Sequence, residues 1–292
     1  MTIKVPLLAV LAAASSLVAT EPVSAHGFAG KRFFPATLAT DDPFVADELS
    51  LPTIAYSKQP ASEESPATRE TDFSIDVSKR VTENLGIGLG ATYKRLRPDE
   101  GETRRGFDNL AASVKYKFYQ SDAHETLLFF FGKGFGDLPA EAKFLRPFAV
   151  TGLVGVGIPS RAGTTTVNDE GELSVERHPH TLEWGFAIEY SLPYLQAFVQ
   201  DVGLREPFNR MIPVVEFAMS TALDRGASGT TGTVNPGIIW AGQYVQLAVE
   251  AVIPVNSRSG SHVGWIAQLH FFLDDLFPTT IGRPILANEF GK

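Results

Sequence analysis

Residues 83–96, ENLGIGLGATYKRL, alternate without a slip. Leu85, Ile87, Leu89, Ala91 and Tyr93 fall on one side; Gly86, Gly88, Gly90, Thr92 and Lys94 fall on the other. A period of two demands a β-strand with two unlike faces, because successive side chains of a strand point to opposite sides of its sheet. What remains open is which face meets the interior.

The same period recurs along the chain. TDFSIDVSKRV (71–81) sets Phe73, Ile75 and Val77 against Asp72, Ser74 and Asp76, and NLAASVKYKFY (109–119) sets Val114, Tyr116 and Phe118 against Ser113, Lys115 and Lys117. In HTLEWGFAIEYSL (180–192), Leu182, Trp184, Phe186, Ile188 and Tyr190 face away from Glu183, Gly185, Ala187 and Glu189. PFAVTGLVGVGIP (147–159), IPVVEFAMS (212–220), GTVNPGIIWAG (232–242), QYVQLAVEAVIPV (243–255) and SHVGWIAQLHFFL (261–273) read alike, with Glu216, Glu250 and His270 on the polar faces. ELSLPTIAY (48–56) is a weaker strand. Pro52 pushes it toward a sheet edge, since proline cannot donate to a ladder. That makes roughly ten to twelve strands at the spacing of an all-β antiparallel barrel. SLPYLQAFVQDVGL (191–204) is the one stretch with the makings of a short helix. TLLFFFGKGFG, within 124–146, is apolar on both faces and upsets the up-and-down count. Either it is one strand and the 160–179 loop lies opposite the other long loops, or the strands here are atypical.

The first 25 residues pair Lys4 with an apolar run from Leu7 to Val18 and end in Val23-Ser24-Ala25, the pattern of a cleaved secretory signal peptide. Beyond it, residues 26–47 have no clear period, 48–273 carry the strands, and 274–292 form a tail. That tail departs from barrels that finish on an aromatic residue of the last strand; Phe290 follows a proline-containing segment. Cysteine is absent, so no disulfide can form, and no lipid can be attached through one. The net charge of −8 argues against nucleic acid, which calls for a basic surface. After the signal no apolar run reaches about 18 residues, so a membrane could be crossed only by a closed barrel.

Four features point to a barrel whose apolar side faces lipid. The polar faces are rich in Gly, Ala, Ser and Thr, as a crowded or wet interior requires. Tyr93, Tyr116, Tyr190 and Trp240 lie toward strand ends, as an interfacial girdle would. Connections at 57–70, 97–106 and 160–179 are long and polar, whereas 82–84 and 241–243 are short. The signal peptide supplies the route of export. The expectation is an outer-membrane-type barrel of a Gram-negative bacterium, delivered by the outer-membrane assembly machinery, with the lipid bilayer and small solutes as partners.

Lys115, Lys117, Glu183, Glu189, Glu216, Glu250 and His270, with Arg80 nearby in sequence terms on a neighbouring strand, are the interior candidates. Two readings stand: a charged constriction that selects solutes, or charges that pair inside a plugged barrel. His26 would open the mature chain and could chelate copper through its amine and ring, given a second histidine among His124, His178, His180, His262 and His270. The simpler reading is a disordered or docked tail, and no metal or cofactor is expected. Ser261 and His262 are adjacent, so on a strand they point apart and form no dyad. No catalytic constellation emerges, and the chain does not read as an enzyme.

HGFAGKRFFPATLATDDPFVADELSLPT, FFGKGFGDLP, LRPFAVTG, LEWGFAIEYSLPYLQ, NPGIIWAGQYVQLAVEAVIPVN and QLHFFLDDLFP resemble a family of uncharacterised exported proteins of Proteobacteria, taken to be outer-membrane barrels. More distantly the chain looks like outer-membrane channels grouped with phenol-degradation (MetA-pathway) genes. The resemblance implies a shortening here, since relatives carry extra strand-like sequence between an HE pair (His124-Glu125) and FFGKGFGDLP. It brings no catalytic or binding residues. The favoured expectation is a channel or passive transporter for small solutes, hydrophobic ones included. The alternatives are a structural or surface-display barrel with a closed interior, or a soluble periplasmic β-protein that binds lipid or metal.

Overall fold

The computed structural model describes residues 29, 32, 35–40, 44–61, 66–108, 110–121, 126–128, 131–135, 138–158, 163–167, 173–177, 179–224 and 229–286. The signal-peptide segment, His26, His124, His178 and Phe290 lie outside them. One large antiparallel sheet contains β1 (Glu48–Gln59), β2 (Thr68–Arg80), β3 (Leu85–Pro98), β4 (Arg104–Phe107), β5 (Ala111–Tyr116), β6 (Tyr119–Ser121), β7 (Thr126–Leu128), β8 (Phe131–Gly134), β9 (Phe148–Gly157), β12 (Thr181–Tyr190), β13 (Met211–Ala222), β14 (Thr230–Ala241), β15 (Val245–Pro254) and β16 (Gly264–Phe272). A separate hairpin pairs β10 (Gly163–Val167) with β11 (Leu173–Arg177). The sheet order is β4–β3–β2–β1–β16–β15–β14–β13–β12–β9–β8–β7–β6, with β5 also on β3. The first and last strands therefore pair.

The hydrogen-bonded ladder is not closed. One end is β4 and β5, the other is β6. Only Lys117 and Phe118 separate β5 from β6, and the Lys117 N–H donates to Asn84 O at 2.7 Å. β8 pairs with β9 from Ala149 to Gly152 alone.

Four expectations change. β1 is no edge strand; it lies between β2 and β16. Its ladder slips between Ser50 and Thr53 on both sides, and Pro52 sits in that bulge, where its missing N–H is no loss. The charged stretch 97–106 is partly strand, because β4 continues the ladder on β3. The polar loop 160–179 holds the β10–β11 hairpin. The doubly apolar TLLFFFGKGFG contains two very short antiparallel strands, β7 and β8, rather than one.

With every neighbour antiparallel, the connections sort onto two ends. The near end carries the starts of β1 and β3, the short links 81–84 and 242–244, the 3-10 turn at Ala140–Leu145, and the 191–210 segment. That segment holds the helical turns Leu192–Tyr194 and Leu195–Val199. The far end carries 60–67, 99–103, 158–180, 223–229 and 255–263. All three long polar loops thus share one end. The residues after β16 stay attached at the near end, where Ile285 and Leu286 N–H groups donate to Arg80 and Val81 carbonyls at 3.0 and 2.7 Å.

Candidate functional site

The two faces of the sheet invert the polarity of a water-soluble protein. Apolar side chains line the uncovered face: Leu89 is 50 % exposed, Val154 65 %, Ile188 38 %, and Phe73, Ile75, Leu247, Val249 and Trp265 are exposed with them. Polar side chains line the covered face, where Glu216, Glu250, Glu189, Asn235 and Gln246 are all but inaccessible. A soluble sheet packs these residues the other way round. The glycines of β3 belong to the covered face: a β-carbon at Gly88 would collide with Ser113 Oγ, and one at Gly90 with Asp76 Oδ1. Bare positions there let the neighbouring polar side chains lie across the strand.

What covers that face is the N-terminal segment. Ala36, Thr37 and Thr40 are buried against β12–β15. Glu216 on β13 accepts the N–H groups of Leu38 (2.7 Å), Ala39 (2.9 Å) and Thr40 (2.6 Å) and the Thr40 hydroxyl (2.8 Å). Three of these donors converge on Oε2, and the Leu38 N–H alone takes Oε1, which keeps a lone pair open. Gln246 on β15 binds Ala36 twice, accepting its N–H at 3.1 Å and donating to its carbonyl at 2.6 Å. Gly185 lets the segment approach, since a β-carbon there would collide with Phe217 O and meet Thr40 Cγ2 at 2.8 Å. A small apolar core of Ala29, Ala187, Ile212, Val214, Ile239, Ala241, Ala248 and Phe272, with Leu38 against it, completes the contact.

At the near end the segment is held by charge. Buried Arg32 reaches Glu48 (2.7 Å), Asp274 (3.0 Å) and Asp275 (3.5 Å), and its guanidinium lies 4.5 Å from the Phe272 ring centre. Burial alone would lower its pKa, but the three carboxylates outweigh that and raise it above the usual arginine value. Burial pushes the Asp274 carboxyl up, in spite of Arg32. Asp47 accepts from Lys79 Nζ (2.6 Å), Arg80 Nε (2.8 Å) and the Arg80 N–H (2.8 Å), tying the start of β1 to the end of β2.

The expected interior residues do not form one ring. Glu189 sits toward the near end beside Thr151 (3.3 Å), Glu216 and Glu250 lie at mid-height, and half-buried Glu183 accepts from Ser220 toward the far end (2.8 Å). Glu250 neighbours Glu216 and Asn235, yet neither of its oxygens meets a donor with hydrogen-bond geometry. Lys117 is half-buried at the β5–β6 junction, and Arg80 belongs to the near-end cluster. The docking roles of Arg32, Thr40 and Gln246 had no counterpart in the sequence reading. Backbone N–H donors carry no residue signature, and glutamine on a polar face resembles any other solvated residue.

Space remains opposite the docked segment. A cavity of about 370 Å³ runs between Ala36–Thr40 and the wall of β16, β1, β2, β3 and β5, with Glu48, Asp76, Lys115, Gln268 and His270 on its lining. His270 Nδ1 is 2.9 Å from Ser50 Oγ, and its Nε2 is 3.8 Å from Glu48 Oε2. The serine occupies the nitrogen that in hydrolytic triads faces the acid, so this string lacks the order that activates a nucleophile. Ser261 and His262 prove to lie before β16, off the strand, where alternation does not apply; their side chains meet at 2.7 Å, fully in solvent. Exposed His180 pairs with Asp224, whose pKa is lowered by the His180 backbone N–H and ring. Among the described residues no group of three acidic or histidine side chains could hold a metal ion. The chain matches no known protein family and no curated protein.

Proposed function

We propose that the protein is an outer-membrane β-barrel that passes small hydrophilic solutes along its interior, past an N-terminal segment that narrows the way. The observation that carries this reading is the inverted polarity of the sheet, with apolar side chains outward and carboxylates, amides and histidine inward. Closure is supported by the junction at Lys117–Phe118. Counting β4, β5 and β6 as one broken strand gives twelve strands around the ring, with β1 against β16. The short links favour the near end, where Arg32 and the stretch after β16 lie, as the periplasmic side, with the long loops outside. The polar cavity lining favours hydrophilic over hydrophobic cargo.

The test is single-channel recording after refolding into planar bilayers. Discrete current steps are expected. Silence across many insertions of protein shown to be folded by its heat-modifiable gel migration would overturn transport. A closed, structural or surface-display barrel is the second reading, favoured by the multiple bonds to Glu216 and the Arg32 cluster. It predicts that deleting residues of the 99–103 or 255–263 connections abolishes cell-surface binding and leaves solute uptake unchanged.

A further inference from the structure

We infer that the uncovered face of β1–β4, at the far end, binds the phosphates of an acylated glycolipid in the outer leaflet. The inference rests on the reading of the sheet as an outer-membrane barrel with its long loops outside, and it names a lipid partner. Antiparallel register sets cross-strand partners side by side on one face. On the uncovered face Phe73, Tyr93 and Phe107 form one row, with the Tyr93 and Phe107 rings 5.3 Å apart. The next row toward the far end holds Tyr56, Thr71, Arg95 and Arg105, and Tyr56 stacks on exposed Trp265. The row beyond holds Lys58, Arg69 and Arg97. Five cations thus stand directly past an apolar and aromatic belt, at the height where such belts meet headgroups.

Among the described residues, most of that charge is unanswered. Arg69 faces Arg97 across one ladder and Arg95 faces Arg105 across another, and like charges directly opposite destabilise a sheet. Asp99 answers two of the five, Arg69 at 3.0 Å and Lys58 at 3.5 Å. Arg95, Arg97 and Arg105 are exposed and make no ion pair with any described residue. The carboxylates of Glu70, Asp72 and Asp108 are drawn instead to Lys94 on the covered face, at 3.0, 3.9 and 3.1 Å.

A phosphate suits this position. Guanidinium presents a planar fork that holds phosphate through two parallel N–H···O bonds, and four of the five cations are arginines. A row step along a strand is about 7 Å and a step between strands about 5 Å, so the patch has room for more than one phosphate. A headgroup with two phosphates on a sugar frame answers both rows of cations, while its acyl chains lie along Phe73, Tyr93 and Phe107. A soluble anion leaves the apolar row bare. A lipid with a single phosphate leaves arginines unanswered.

The test uses the full chain refolded in detergent, its fold certified by heat-modifiability, in native mass spectrometry. The probes are a bisphosphorylated acyl-glucosamine lipid, its monophosphorylated form, phosphatidylglycerol and heparin. Retention of the bisphosphorylated lipid above the other three is expected. Replacing Arg95 and Arg105 together by glutamine should weaken it by about tenfold or more, as loss of hydrogen bonds to a charged group would. Arg104→Gln is the control: Arg104 lies opposite Leu96, on the other face of the sheet, and its loss should leave retention unchanged. Absence of retention by folded wild-type protein overturns the site. Equal retention of phosphatidylglycerol, preference for heparin, or an equal loss in Arg104→Gln does so too. Bilayer recordings on the same preparation separate the two readings. Current steps without lipid retention sink the site alone; lipid retention without current keeps the site and sinks the passage.

Discussion

Thr40 and Glu216 meet twice through one oxygen: the Thr40 N–H at 2.6 Å and its hydroxyl at 2.8 Å both reach Glu216 Oε2. Leu38 and Ala39 add two further N–H donors to the same carboxylate. An amide in its place keeps one acceptor oxygen and turns an NH2 group toward N–H donors. Glu216→Gln should therefore weaken docking of the segment by about 1–3 kcal/mol. Amide hydrogen exchange at residues 36–40 should accelerate in proportion, and unitary conductance should rise or flicker. Unchanged exchange would show that the segment is held by other contacts.

Arg32 is the second anchor. Its guanidinium is buried among three carboxylates, two of which are themselves buried. Removing one member of a buried charge cluster leaves the others uncompensated, at about 3–5 kcal/mol. Arg32→Gln should lower the unfolding free energy measured by denaturant titration by that amount and expose the segment to protease at the near end. Arg32→Lys should recover only part of the loss, since an ammonium cannot present the fork that reaches Glu48, Asp274 and Asp275 together.

Asp274 makes this end pH-dependent. Its folded pKa is raised by burial, above the value of about 3.9 for an unfolded aspartate. The folded chain takes that proton first, so stability rises as pH falls through the raised value and levels off below the unfolded one. Thermal unfolding of wild-type protein compared with Asp274→Asn should show this slope in the difference between the two curves. A difference that grows in the opposite direction would mean that Arg32 outweighs burial at this carboxylate.

Strand phase was legible because one face of each long strand is apolar and the other is not. Leu85–Ala91, Leu182–Tyr190 and Leu247–Ile253 sort in the structure as their periodicity requires. That Glu189, Glu216, Glu250 and His270 are buried followed from the same alternation. The position of β1 was not legible, because a proline forbids a ladder bond but says nothing about a bulge that needs none. The hairpin β10–β11 was hidden by polar composition. Least visible was the docked segment: PATLAT has no period, and its grip on Glu216 is made by main-chain donors that any residues except proline would supply.

Glu250 offers a stabilising change. It is 1 % exposed, it neighbours Glu216 and Asn235, and both its oxygens lack donors. A buried charge without a partner is costly, and a second carboxylate nearby adds repulsion. Gln has the same shape and supplies an NH2 that can donate to Glu216. Glu250→Gln should raise the temperature at which the folded band disappears on a heat-modifiability gel, by the equivalent of about 1–3 kcal/mol. A lowered transition would show that the carboxylate is compensated at mid-height by a bound cation or water.

Ile188 and Glu189 decide the orientation of the whole sheet. They are consecutive on β12, with Ile188 38 % exposed and Glu189 at 2 %. If the uncovered face lies in hydrocarbon, a spin label at Cys substituted for Ile188 collides with dissolved oxygen and is shielded from a water-soluble nickel chelate. A label at position 189 points into the interior, beside Thr151, and sees little of either reagent. The same contrast should repeat at Val249 against Glu250 on β15, on a strand that is not a neighbour of β12. The interior carboxylates cannot face acyl chains without uncompensated burial of charge, so the two pairs must agree. Oxygen accessibility at 189 and 250 exceeding that at 188 and 249 would remove the membrane barrel and, with it, any passage of solutes through this protein.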